Sequence, residues 1–164
     1  MKDNYENTHT ADNDIINRSF FDKNPTPMWV YSLTTLKFLI VNEAAINDYG
    51  YSYDEFLKMT IKDIRPEEDI PLLLENINDE KSTIQNSGTW RHKKKNSEII
   101  LVKISSYSIN YQSESARCVM ALDVTEKVKT KQMLVKEVAK FKSIIESTSD
   151  LIFSVDTNYC YTSF

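Results

Sequence analysis

Glycine is almost missing: in 164 residues the chain holds two, Gly50 and Gly88. Loops that cradle phosphate need several glycines, because the backbone must approach the phosphate oxygens closely. Neither G-x-x-x-x-G-K-[ST] nor G-x-G-x-x-G can be written here, which argues against kinase, nucleotide cyclase and dinucleotide chemistry in this chain. Cysteine is equally scarce. Cys118 and Cys160 each sit in an apolar or aromatic, strand-like setting with no second thiol or histidine nearby, so neither a metal site nor a disulfide framework is expected. Long apolar runs are lacking too. The first fourteen residues, MKDNYENTHTADND, are polar, and the apolar stretches elsewhere are too short to cross a bilayer, so a cytoplasmic segment without membrane contact is expected. The net charge is only −4, which gives no field able to hold nucleic-acid phosphates; nucleic acid is not an expected partner.

What is present is globular: 41% hydrophobic residues and 11% aromatics. The length suits one full domain with about forty residues over. After the polar start, Ile15, Ile16, Phe20 and Phe21 recur at roughly helical spacing behind Asp14, a possible N-cap. Pro25 and Pro27 break that helix. Two β-rich runs follow, 28–32 and 37–41, joined through Leu33-Thr34-Thr35. Asn42 caps a short helix over 43–49 that Gly50 closes, a second runs over about 53–59, and 61–64 makes a single turn ended by Pro66. The helix over 67–78 places Ile70, Leu73, Leu74 and Ile77 on one face. From Gly88 the period changes to that of strands, over 89–94, 98–111 and 116–124, with turns at Asn96-Ser97 and Gln112-Ser113-Glu114. The expected fold class is therefore α+β: a five-stranded antiparallel sheet with short helices on one face, followed by a long helix.

That long helix covers 125–148, is rich in lysine, and carries Leu134, Val138, Phe141 and Ile145 at a 4, 3, 4 spacing, about two heptads of a dimer seam. Val128 and Val135 fall in another register and Lys131 occupies an apolar position. The coiled coil is expected to be marginal alone. Residues 149–156 repeat the pattern of 25–32, Phe153 matching Trp29 and Val155 matching Tyr31, at a period of about 124 residues. Since two strands bury no core, the chain is expected to be cut from a longer protein.

Six pieces in order carry a family resemblance: N-P-x-P-M-W-V-Y at 24–31, F-L-I-V-N-E-A-A at 38–45, Y-G-Y-S-x-x-E-F-L at 49–57, D-I-R-P-x-E-D at 63–69, W-R-H-K-K-K at 90–95 and D-V-T-E at 123–126. Residues 24–126 resemble a PAS domain of the bacterial sensor histidine kinase type. The resemblance divides the chain into a tail and short helix (1–23), the PAS domain (24–126), a signalling linker helix (127–148) and the start of a second PAS domain (149–164). It implies a sensory or relay module of a two-component protein, a homodimer formed through the linker helix, a small-molecule ligand, and a downstream kinase or other output domain in the same polypeptide. The module itself is not expected to be an enzyme. One departure stands out: where the family usually has Asp-Gly between two late strands, this chain has Asn96-Ser97, so that turn is expected to be wider or strained by about 1 kcal/mol.

Flavin photoreceptors of the family use a cysteine on the helical face, and 62–66 has none; haem-binding members place a histidine on the long helix, and 67–79 has none. The cofactor is left unassigned. Trp29, Tyr31, Tyr49, Met59, Ile64, Leu73, Trp90, His92, Val102, Ile104 and Met120 are the candidate pocket lining between sheet and helices, and the same residues would equally make a packed core. Trp90 and His92 alternate onto one side of their strand, where His92 could serve a ligand or be a structural histidine bonded to a backbone carbonyl. Arg91, Lys93, Lys94 and Lys95 read as a solvated hairpin rim. Asp63, Glu67, Glu68 and Asp69 favour a helix start and suggest no carboxylate-pair catalysis. Asp123, three residues before Glu126, resembles a capping box, with Thr125 as an alternative cap, so the last strand passes directly into the helix. By resemblance, Asp123, Thr125 and Glu126 are the relay. The rival reading is a ligand-free dimerisation spacer, and a further one an enzyme of unrecognised type.

Overall fold

Apolar runs bounded by turn residues become an antiparallel sheet, and the capped segments between them become short helices. The computed structural model describes residues 18–78, 84–147, 154–155 and 161–162. The chain divides into two units, Met1–Val124 and Thr125–Phe164. In the first, a helix over 18–22 (α1) precedes β1 (Met28–Ser32), β2 (Phe38–Val41), α2 (Glu43–Tyr49), α3 (Tyr53–Lys58), a 3-10 turn (Glu67–Asp69), α4 (Ile70–Asn78), β3 (Ile84–Lys93), β4 (Ile99–Tyr111) and β5 (Glu114–Asp123). The sheet order is β2-β1-β5-β4-β3. Every neighbouring pair is antiparallel, and β5 lies in the middle between β1 and β4.

Asn42 shows how one residue organises this unit. It is fully buried, and its Oδ1 accepts from the Ala45 N–H, capping α2, and from the Met28 N–H at the start of β1, both at 2.9 Å. Its Nδ2 donates to the carbonyls of Phe21 and Asn24 at 3.2 Å and of Thr26 at 2.9 Å. Gly50 ends α2 with φ +78°, a left-handed conformation that glycine adopts without strain. Ser52 and Glu55 close a capping box at α3.

The inner sheet face packs an aromatic chain against α2 and α3. Trp29 meets Phe38 at 6.0 Å and Tyr49 at 5.7 Å, and Phe38 meets Phe56 at 5.1 Å, all edge to face. Such pairs contribute about 0.5–1.5 kcal/mol each beyond their burial. On the outer face Met28, Val30, Ala116 and Cys118 form a smaller cluster with Phe21 packed against it.

Two expectations change and one is met. β3 begins at Ile84 and not at 89, because a bulge between Asn86 and Thr89, with Gly88 at φ +75°, interrupts the alternation that marks a strand. The 96–97 turn is wider: Lys94 N–H donates to Glu98 O and Ser97 N–H to Lys94 O, each at 2.9 Å, and Ser97 takes φ +68°. That is a three-residue loop ending in a left-handed residue. Leu74 is exposed, while Leu73 and, in part, Ile70 and Ile77 of α4 turn inward. Ile15, Ile16 and Asp14 lie outside the described residues, as does Cys160.

The second unit holds α5 (Thr125–Ser147) and a short pairing of β6 (Ser154–Val155) with β7 (Tyr161–Thr162). Leu134, Val138 and Phe141 on α5 are exposed, Ile145 is half-buried, and Met133, Val135 and Ile144 are exposed beside them. Among the described residues no helix is long and apolar enough to cross a membrane.

Candidate functional site

Between the inner face of the sheet and α4 lies a cavity of about 40 Å³. Its position follows from local bonds. Lys93 N–H donates to Ile64 O at 2.9 Å, and Arg65 N–H to Lys62 O at 3.1 Å, so β3 draws the turn before Pro66 against Trp90. Of the residues named from sequence, Trp29, Tyr31, Ile64, Leu73, Trp90 and Ile104 line the cavity. Tyr49, His92 and Val102 are buried outside its wall, and Met59 packs half-buried on the core's edge. Met120 faces the other way. Directly paired strand residues share a face, and the register sets Ile104 against Ala121 and Ser105 against Met120, which puts Val119 and Ala121 inside and leaves Met120 on the outer face.

His92 takes the structural course, through a phenol and not a carbonyl. It is fully buried, its Nδ1 lies 2.6 Å from the Tyr49 hydroxyl, and its Nε2 has no partner among the described residues. Burial first, and then the Arg65 charge, hold its pKa well below the ordinary imidazole value. It is a neutral ring. Burial likewise raises the Tyr49 hydroxyl.

Two arginines were missed. Arg65 and Arg117 both line the cavity and both are 7% exposed. The Arg65 guanidinium carbon lies 4.7 Å over the centre of the Trp90 ring, and burial brings its pKa down to about 10. Arg117 Nη2 reaches Ser108 Oγ at 3.5 Å. The signals were present: Arg65 stands inside D-I-R-P, and Arg117 alternates with Val119. Arginine is so seldom buried that both read as surface residues. Asn76 and Ser106 add polar groups to the same wall.

Several of the other charged residues named from sequence are engaged with neighbours. Arg91 bonds both oxygens of Asp69, at 2.9 and 2.5 Å, and approaches Glu68 at 3.2 Å. Lys94 pairs with Glu98 at 3.4 Å and Lys95 with Glu55 at 2.7 Å, so much of the basic rim is paired. Asp63 accepts from the Thr60 N–H and hydroxyl at 2.6 and 2.8 Å. At the strand–helix junction the Val124 N–H donates to Leu101 O at 2.8 Å, and Glu126 accepts from Lys129 at 2.9 Å.

Comparison with known proteins bears on this fold. No curated protein matches the chain. Among solved structures, the PAS domain of an HTR-like protein from Haloarcula marismortui is similar with a TM-score of 0.63 at 12% identity, covering 73% of this chain and 98% of that one. A PAS domain from a two-component sensor histidine kinase is similar with a TM-score of 0.59 at 20% identity, covering 70% and 98%. A domain of the sensory box sensor histidine kinase/response regulator from Geobacter sulfurreducens gives 0.57 at 15% identity, covering 66% and 92%. The PAS domain family model matches residues 25–126, from the approach to β1 through the whole sheet to the first turn of α5, and the chain belongs to the PAS domain family.

Proposed function

We propose that this chain is a sensory and relay module of a larger signal-transduction protein, of the sensor histidine kinase type, acting in the cytoplasm and not itself an enzyme. A small molecule in the inner cavity alters the sheet, and Asp123, Thr125 and Glu126 pass the change to α5, which dimerises along Leu134, Val138, Phe141 and Ile145. The observation that carries this reading is the path of β5. The strand supplies Arg117 and Val119 to the cavity wall, ends at Asp123, and is separated from α5 by Val124 alone. A change at the cavity thus has a short covalent route to the helix. The exposed apolar side chains of α5 suit a second copy of the helix. The kinase context draws on the names of the similar structures, and the start of a second PAS domain after 148 draws on the repeat of 25–32 at 149–156 together with the short β6–β7 pairing.

Asp123→Ala and Thr125→Ala in the full-length protein are expected to uncouple output from input while the melting profile of the domain is kept. Regulation unchanged in both variants refutes the relay. A second reading, a ligand-free dimerisation spacer, is favoured by the small volume of the cavity, about 40 Å³. Native mass spectrometry separates the two, because a retained small molecule excludes an empty spacer.

A further inference from the structure

The cavity wall holds a positive charge that no described acid answers. Removing a guanidinium from water is costly unless a carboxylate or a full set of acceptors replaces the lost hydration. Arg65 is 7% exposed, yet its Nε and Nη1 find no hydrogen-bond partner, and it makes no ion pair among the described residues. The acid that acts on it electrostatically, Asp69, has both oxygens on Arg91, at 2.9 and 2.5 Å. Stacking over Trp90 at 4.7 Å offsets part of the cost but accepts none of the N–H groups. The second guanidinium, that of Arg117, reinforces the positive potential from β5, and the Tyr31 phenol lies within the influence of both.

We infer that the cavity takes a small carboxylate, which pairs with the Arg65 guanidinium and whose carbon tail lies against Trp29, Trp90 and Ile104. The inference rests on the sensory reading above and names the chemical class of its ligand. Volume and charge both select this class. About 40 Å³ is room for roughly three water-sized positions, which fits a chain of about two or three carbons and not a flavin or a haem. A single negative charge matches the Arg65 guanidinium, whose Nε and Nη1 have no partner among the described residues. Inorganic phosphate as a dianion would set a second charge against indole and aliphatic walls, where it is poorly solvated.

The test is a titration of the isotope-labelled chain with sodium acetate and sodium propionate at constant ionic strength, following the Arg65 Nε–H resonance. Sodium chloride, acetamide and inorganic phosphate are the parallel arms. The Arg65 signal is expected to move saturably with both carboxylates, and acetamide to bind at least about tenfold more weakly, since it brings no charge to the guanidinium. With the Trp90 indole N–H resonance as the readout in the variants, Arg65→Gln is expected to abolish the saturable shift and Arg65→Lys to weaken binding by about tenfold through loss of the planar fork. Should both variants fail to fold, the titration of the native chain decides alone. A signal that moves no further with acetate and propionate than with chloride overturns the inference. Phosphate binding as tightly as either carboxylate overturns the assignment of class. Neither result touches the relay, which stands or falls on Asp123 and Thr125.

Discussion

Replacing Asn42 by alanine or by aspartate separates two things its side chain does at once. Its Oδ1 serves the N–H groups of Met28 and Ala45, and its Nδ2 serves the carbonyls of Phe21, Asn24 and Thr26. Asn42→Ala removes both sets. Loss of the α2 cap costs about 1 kcal/mol, and a buried Met28 N–H without an acceptor costs about 1–3 kcal/mol more. The expected total is about 3 kcal/mol, a large share of the 5–15 kcal/mol that holds a domain of this kind. Asn42→Asp keeps the acceptor but turns the donor into a second oxygen facing three carbonyls. The buried carboxyl is then forced to hold its proton, so its folded pKa rises above the unfolded value of about 3.9. The sign follows: a raised folded pKa means stability that is present in acid and lost as pH rises towards that folded pKa. Relative to the native chain, the deficit should grow by up to about 1.4 kcal/mol per pH unit above about pH 4. Urea unfolding read by the fluorescence of Trp29 and Trp90, both buried in the core, measures it at several pH values. An alanine variant that loses less than about 1 kcal/mol, or an aspartate variant whose deficit does not change with pH, refutes the reasoning.

The buried His92 makes the native domain sensitive to acid. Its folded pKa lies well below 6.5, so the unfolded chain binds the extra proton and stability falls as pH drops below about 6.5, by at most about 1.4 kcal/mol per unit. His92→Gln should flatten that slope in the same urea assay, and an unchanged slope would assign the acid sensitivity elsewhere. At the end of α2, Gly50→Ala should cost about 1 kcal/mol from backbone strain alone, because the added Cβ would meet Lys95 Cβ at an ordinary 3.7 Å. A loss of several kcal/mol in the denaturation midpoint would show that steric crowding decides instead.

What could be read from sequence divides along a physical line. Elements defined by local chemistry were legible: Asn42 and Gly50 bound α2, and Asp123 closes the last strand just before the long helix. Each of these rests on residues within a few positions of one another. What failed rests on pairing between distant segments. The Gly88 bulge hid the first half of β3, and the inward set on β5 follows from its register against β4, which the run Ala116 to Leu122 does not reveal alone. With Met120 moved to the outer face, the inward set becomes Arg117, Val119 and Ala121.

That shift of one residue is also what joins the site to its chemistry. Had Met120 and Cys118 faced inward, the wall contributed by β5 would be apolar throughout, and a packed core would be a sufficient account of it. With Arg117 inside, and Arg65 brought over Trp90 by the bond from Lys93 to Ile64, two guanidiniums border a space of about 40 Å³. Packing alone gives no reason to place such charges there, because apolar residues of equal volume would stabilise the core more. An acceptor at that position would remove the cost for Arg65. Its arrival or departure would reach β5 through the shared cavity wall, where Arg117 and Val119 stand on the strand that leads through Val124 into α5.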